Sequence, residues 1–99
     1  MSYLVRNVFQ AKPGQAKALA EIFKKAGPAI QASGLAQSVR VLTDASADFW
    51  TVVTESEVPD LNAYMDMAQV VSKHPQIGQA MKGYTDLVVS GRREIYRIE

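Results

Sequence analysis

Apolar and polar side chains alternate along residues 3–10: Tyr3, Val5, Asn7 and Phe9 form one set, Leu4, Arg6, Val8 and Gln10 the other. A period of two with β-branched and aromatic residues predicts a strand, and apolar residues in both sets predict that both its faces are covered. Pro13-Gly14 then opens a helix, since proline suits the first turn, where its missing N–H is not needed. Ala18, Leu19, Ile22, Phe23 and Ala26 recur at steps of three and four, with Lys17, Glu21, Lys24 and Lys25 on the other side. That is an amphipathic helix lying on a sheet. Gly27-Pro28 is expected to bend or interrupt it, with a further turn through Ile30 before Ser33-Gly34 ends it. Gln37–Thr43 and Asp48–Glu55 read as two strands joined by a hairpin at Asp44-Ala45-Ser46-Ala47. Pro59-Asp60 begins a second helix with Leu61, Tyr64, Met65, Ala68 and Val70 or Val71 inward. His74-Pro75 breaks it, and Ile77, Ala80 and Met81 suggest a short third helix up to Gly83. Tyr84–Ser90 reads either as a loop or as the start of a strand, and Arg92–Ile98 as the last strand.

The predicted order is strand, helix, strand, strand, helix, strand. Right-handed crossovers in each half give one α+β, ferredoxin-like βαββαβ domain over residues 1–99, a four-stranded antiparallel sheet with its helices on one face. The other face is left bare, and Leu4, Val8, Leu42, Trp50, Val52, Tyr96 and Ile98 are expected on it. At ~25 cal/mol per Å² of apolar surface, such exposure forfeits several kcal/mol, which stacking against the same face of a second copy recovers. Arg6, Arg40 and Glu94 are expected on that face too, in cross-strand or cross-subunit ion pairs, because an unpaired charge between two sheets is prohibitive.

Composition narrows the function classes. An apolar fraction of 47% with 21% charge in 99 residues belongs to an ordinary globular chain. Eleven basic and ten acidic residues leave a net charge of +1, with no basic stripe for nucleic acid. Cysteine is absent, which excludes disulfides, thiolate metal sites, iron–sulfur clusters and a cysteine nucleophile. No basic leader precedes an apolar run and no window reaches the ~18 apolar residues of a membrane span, so a cytoplasmic protein without membrane contact is expected.

The opening strand YLVRNVFQ running into KPGQAKAL, the strand DFWTVVTE followed by Leu61-Asn62-Ala63-Tyr64, and the terminal REIYRI together resemble the dimeric α/β-barrel superfamily. That group includes antibiotic-biosynthesis monooxygenases, haem-degrading monooxygenases and NIPSNAP-type domains. The resemblance covers nearly the whole chain. It implies that two protomers join their sheets into a barrel, each with a cleft between helices and sheet. In this chain the cleft would be lined by Phe9, Phe23, Tyr64 and Met65. Haem-degrading members carry an asparagine on the first strand, an aromatic residue on the second helix and a haem-ligating histidine beyond. Asn7, Tyr64 and His74 stand at the matching places, with tyrosine where those members have tryptophan. The resemblance thus implies haem binding more than haem degradation. In cofactor-independent members a similarly placed asparagine would orient an activated carbonyl or oxygen.

The residues themselves leave alternatives open. His74 is the only histidine and reads equally as a helix-terminal residue favoured by the helix dipole. Asn7 shares a strand face with Tyr3, Val5 and Phe9, so its amide must find backbone, water or ligand partners; leaving it unpaired costs ~1–3 kcal/mol. Tyr84 and Tyr96 could donate hydrogen bonds or simply pack, and Met65, Met67 and Met81 suit an adaptable pocket or an ordinary core. Asp48, Glu55, Glu57 and Asp60 read as solvated turn charges. No G-x-S-x-G elbow or glycine-rich phosphate loop occurs. The leading expectation is a dimer handling a small hydrophobic molecule by monooxygenase-like chemistry, with Asn7, Tyr64 and His74 as candidate catalytic residues. No cofactor is expected, haem on His74 being the alternative. A non-catalytic binding module and a dimer with no ligand role are the other two outcomes.

Overall fold

The computed structural model describes residues 2–99. Its elements are β1 (Tyr3–Ala11), α1 (Ala16–Ala32), β2 (Ser38–Thr43), β3 (Thr51–Val58), α2 (Leu61–Met65), α3 (Met67–Lys73), α4 (Pro75–Ala80), a 3₁₀ turn (Tyr84–Leu87) and β4 (Val88–Arg97). The strands form one antiparallel sheet in the order β2-β3-β1-β4, the ferredoxin-like arrangement that the alternation of elements predicts.

Residues directly opposite each other in a ladder share a face, so the register sorts the sheet into rows. Under the helices lie the rows Thr43–Val52–Phe9–Gly91, Val41–Thr54–Asn7–Arg93 and Val39–Ser56–Val5–Ile95. On the open face lie Ser38–Glu57–Leu4–Tyr96, Arg40–Glu55–Arg6–Glu94 and Leu42–Val53–Val8–Arg92. Helix α1 covers the first set, packing Leu19, Phe23 and Ala20 with Val52 and Ala11. A second cluster joins Val5, Val58 and Ala36 to Ile30, Val39 and Leu61. Leu19, Val5, Val52 and Val58 are fully buried, each contributing roughly 1.5–3 kcal/mol by leaving water.

Four local expectations are corrected. The third strand begins at Thr51 rather than Asp48, because Asp44 closes a longer loop. Its Oδ1 accepts from Thr51 N (3.1 Å), while Thr51 Oγ1 donates to the Asp48 carbonyl (2.7 Å). Trp50 sits in this loop with φ of 65°, a left-handed conformation that a strand does not allow. The expected placement of Trp50 and Val52 on the open face therefore fails. Trp50 lies outside the sheet, Val52 turns under the helices, and Val53 and Glu55 take the open face.

Helix α1 runs through Pro28 without interruption. A proline inside a helix costs ~3 kcal/mol, offset here by close packing around it. Gly27 lies against Val39, where a Cβ would stand 3.3 Å from Cγ1, and Ala26 is buried beside it. The second helix is instead split at Asp66, whose carboxylate accepts from Gln69 N (3.3 Å) and starts α3 as Asp60 starts α2 through Ala63 N (3.1 Å). The break resets the helical phase, so Val70 is buried while Ala68 and Val71 are exposed. Finally, the ambiguous stretch Tyr84–Ser90 resolves into the 3₁₀ turn and the first residues of β4.

No helix among the described residues is long and apolar enough to cross a membrane.

Candidate functional site

Between the sheet and the helices lies a cavity of about 140 Å³. Its sheet side is built on the row that crosses β3, β1 and β4 at Thr54, Asn7 and Arg93. These three polar side chains form a chain of hydrogen bonds. Asn7 Nδ2 donates to Thr54 Oγ1 (3.3 Å), and Arg93 Nε donates to Asn7 Oδ1 (2.8 Å). The half-buried amide thus finds partners on both sides within the sheet, and they fix which way it points. A further N–H of Arg93, on Nη1, reaches Met65 Sδ (3.3 Å).

The helix side is apolar. Phe9 and Phe23 face each other at 5.0 Å between ring centres, and Tyr84 stands edge-on to Phe9 at 6.3 Å. Phe9 has room for this position because Gly91 lies opposite it; a Cβ there would come within 3.2 Å of the Phe9 ring. Tyr64 at the end of α2 donates its hydroxyl to Ser56 Oγ (3.3 Å), tying the helix over the sheet. Met65, Val70, Ile77 and Met81 complete the wall.

Asn7, Phe9, Phe23, Tyr64 and Met65, all expected at a cleft, come together around this one cavity. His74 does not join them. It ends α3 and precedes α4, its N–H bonded to the Val70 carbonyl (2.9 Å) and its own carbonyl accepting from Ile77 N (3.0 Å). The side chain lines a separate shallow depression with Asp60, Asn62 and Lys73. The residues present therefore do not fit haem as the Asn7–Tyr64–His74 constellation implies. The histidine is absent from the cavity wall, and about 140 Å³ falls below the ~300–1,000 Å³ typical of cofactor sites.

Arg93, not a candidate from the sequence, is the one cation on the wall among the described residues. The signal for it was in the pattern: pairing β4 antiparallel to β1 places the second arginine of RREIYR opposite Asn7, and only the register shows this.

The open face is equally specific. Its central row alternates in sign across all four strands: Arg40, Glu55, Arg6, Glu94. Glu55 pairs with both Arg40 and Arg6, the latter at 2.8 Å, and is 7% exposed in its side chain. It is therefore no solvated turn charge, as expected from sequence, but the centre of the ladder. Arg6 Nε stands 3.8 Å from Glu94, which also takes bonds from Arg92 Nε (3.0 Å) and the Tyr96 hydroxyl (2.8 Å). The Tyr96 hydrogen bond, then that from Arg92, holds the Glu94 carboxyl below its ordinary range, and the same bond to Glu94 raises the Tyr96 phenol.

Solved structures share this architecture. A NIPSNAP family protein from Agrobacterium tumefaciens superposes with a TM-score of 0.76 at 12% identity, covering 100% of this chain and 94% of its own. A candidate antibiotic biosynthesis monooxygenase from Chloroflexus aurantiacus gives 0.74 at 15% identity, covering 100% and 95%. The chain has their fold. A dimeric protein of ferredoxin-like fold and unknown function from Bacteroides fragilis gives 0.73 at 16% identity, covering 98% and 96%. No protein-family model and no curated protein matches the sequence. At such identities the likeness carries the architecture, and the site residues must speak for the chemistry.

Proposed function

We propose that the chain is one protomer of a homodimeric α/β barrel that takes a small, largely apolar molecule into the cavity beside Asn7. The open sheet face would be covered by the same face of a second copy, and the Bacteroides fragilis neighbour of the same fold is dimeric. The observation that carries the ligand reading is Asn7 itself. Its amide is held by Thr54 and Arg93 in an otherwise apolar cavity, and Nδ2 has a second hydrogen to offer a bound oxygen.

Such a donor could assist monooxygenase-like oxidation, the activity named for the Chloroflexus aurantiacus neighbour, here with a quinol-like substrate. The substrate would supply both electrons: one ring C–H becomes C–OH with one atom of dioxygen as the quinol becomes a quinone, and the other atom leaves as water. Asn7 would stabilise the substrate oxyanion from which that electron pair departs.

One observation favours a second reading, binding without turnover. Among the described residues the cavity wall includes no carboxylate and no histidine, so they offer no ordinary general base. Oxygen consumption with a quinol substrate separates the two. Oxidation should fall on the order of 100-fold in Asn7→Ala. An equal rate in wild type and variant removes Asn7 from the chemistry, and no consumption in wild type leaves binding alone.

A further inference from the structure

The arginines of the open sheet face and the arginine of the cavity are employed differently. Arg6, Arg40 and Arg92 each pair with a carboxylate. Arg93 has no carboxylate partner among the described residues; its two bonds go to neutral acceptors, the Asn7 amide oxygen and the Met65 sulfur. A guanidinium carries five N–H groups and stays charged at any physiological pH. Those two bonds hold Arg93 in one orientation and leave three donors and a full positive charge uncompensated at the cavity.

The neighbouring polar atoms lean the same way. Asn7 Oδ1 is already engaged by Arg93, while Nδ2 keeps one hydrogen beyond the one it gives Thr54. The polar end of the cavity thus offers chiefly donors. Its apolar end is lined by the rings of Phe9, Phe23 and Tyr84. The volume, about 140 Å³, is that of a single ring: an engineered apolar cavity of ~150 Å³ binds benzene.

Resting on the cavity as the ligand site, we infer that its ligand is a single-ring aromatic carboxylate, with the ring among the phenylalanines and the carboxylate against Arg93 and the Asn7 N–H. The guanidinium supplies charge-assisted bonds to the head group, and the ring stack supplies the apolar burial. Because Arg93 is exposed to solvent, its attraction is screened, and a moderate charge preference is expected in place of an absolute one.

Benzoate and benzamide, nearly equal in shape and different in charge, test this by NMR titration of the ¹⁵N-labelled protein. Benzoate should shift the Asn7 side-chain amide and the Arg93 Nε resonance and bind about tenfold tighter than benzamide, roughly 1.4 kcal/mol. Arg93→Gln should weaken benzoate more than benzamide and so erase that preference, and Arg93→Lys should retain part of it. Equal affinities in the wild type, or a preference that survives in Arg93→Gln, would overturn the charge selection while the cavity remains a ligand site. If neither compound moves any cavity resonance, the ligand site itself is lost, and the inference with it.

Discussion

Arg6 and Asn7 are neighbours on β1, yet they belong to rows with opposite chemistry. Asn7 faces the helices in the row Val41–Thr54–Asn7–Arg93, where Arg93, a cation with no carboxylate partner among the described residues, donates to Asn7 and Asn7 donates to Thr54. Arg6 faces away in the row Arg40–Glu55–Arg6–Glu94, where every charge has an opposite neighbour and the row sums to zero. A surface that will be covered by a copy of itself must neutralise its charges internally, or bury them at a cost of several kcal/mol. A surface that must recognise a ligand needs the reverse, a group left wanting a partner. Leu42 and Val8 beside the ladder supply area to bury, while the phenylalanines beside Asn7 supply room.

The sharpest way to break this contrast is to spoil the open face alone. Val53→Asp puts a carboxylate between Leu42 and Val8, next to the ladder. An unpaired charge in a covered interface costs about 4 kcal/mol, so dimer dissociation measured by sedimentation equilibrium should shift on the order of a thousandfold. Benzoate binding, on the other side of the sheet, should hardly change. A variant that dimerises normally would show that this row is not the contact.

Glu55→Gln comes next. It leaves Arg6 and Arg40 flanking a neutral amide, and urea denaturation should show a loss of about 2–3 kcal/mol, below the usual figure for a buried pair because both arginines reach solvent. An unchanged midpoint would mean that the ladder contributes no net stability. The smallest effect is at Glu94 and Tyr96. Because the Glu94 carboxyl is lowered, its contribution is present above the ordinary carboxylate range and disappears as pH falls through the lowered value. Because the Tyr96 phenol is raised, its contribution is present below the ordinary tyrosine range and disappears as pH rises through the raised value. Ultraviolet titration of Glu94→Gln should therefore show one tyrosine ionising at lower pH than in the wild type, and identical titration curves would contradict the bond.

Much of the fold was legible because strands and helices write their periods directly into the chain. The cleft residues Asn7, Phe9, Phe23, Tyr64 and Met65 were placed by one strand face, two helices and the family resemblance, and the structure joins them. What escaped was set by single local interactions with no period. The Asp44 bond to Thr51 accompanies the later start of β3, and the pairing of β3 with β1 sets the face of Val52. Asp66 capped a new helix within an apolar run that reads as continuous. Arg93 became visible only with the register, which depends on how two distant strands pair. His74 shows the opposite failing: a matching place along the chain put it beside Asn7, and the turn at Pro75 carries it elsewhere.

Sedimentation velocity of the wild-type chain at micromolar concentration tests the division of labour between the two faces most directly. The account expects a single boundary at the mass of two chains, moving to that of one chain in Val53→Asp. A wild-type boundary at the mass of one chain, with cooperative unfolding showing that it is folded, would contradict it.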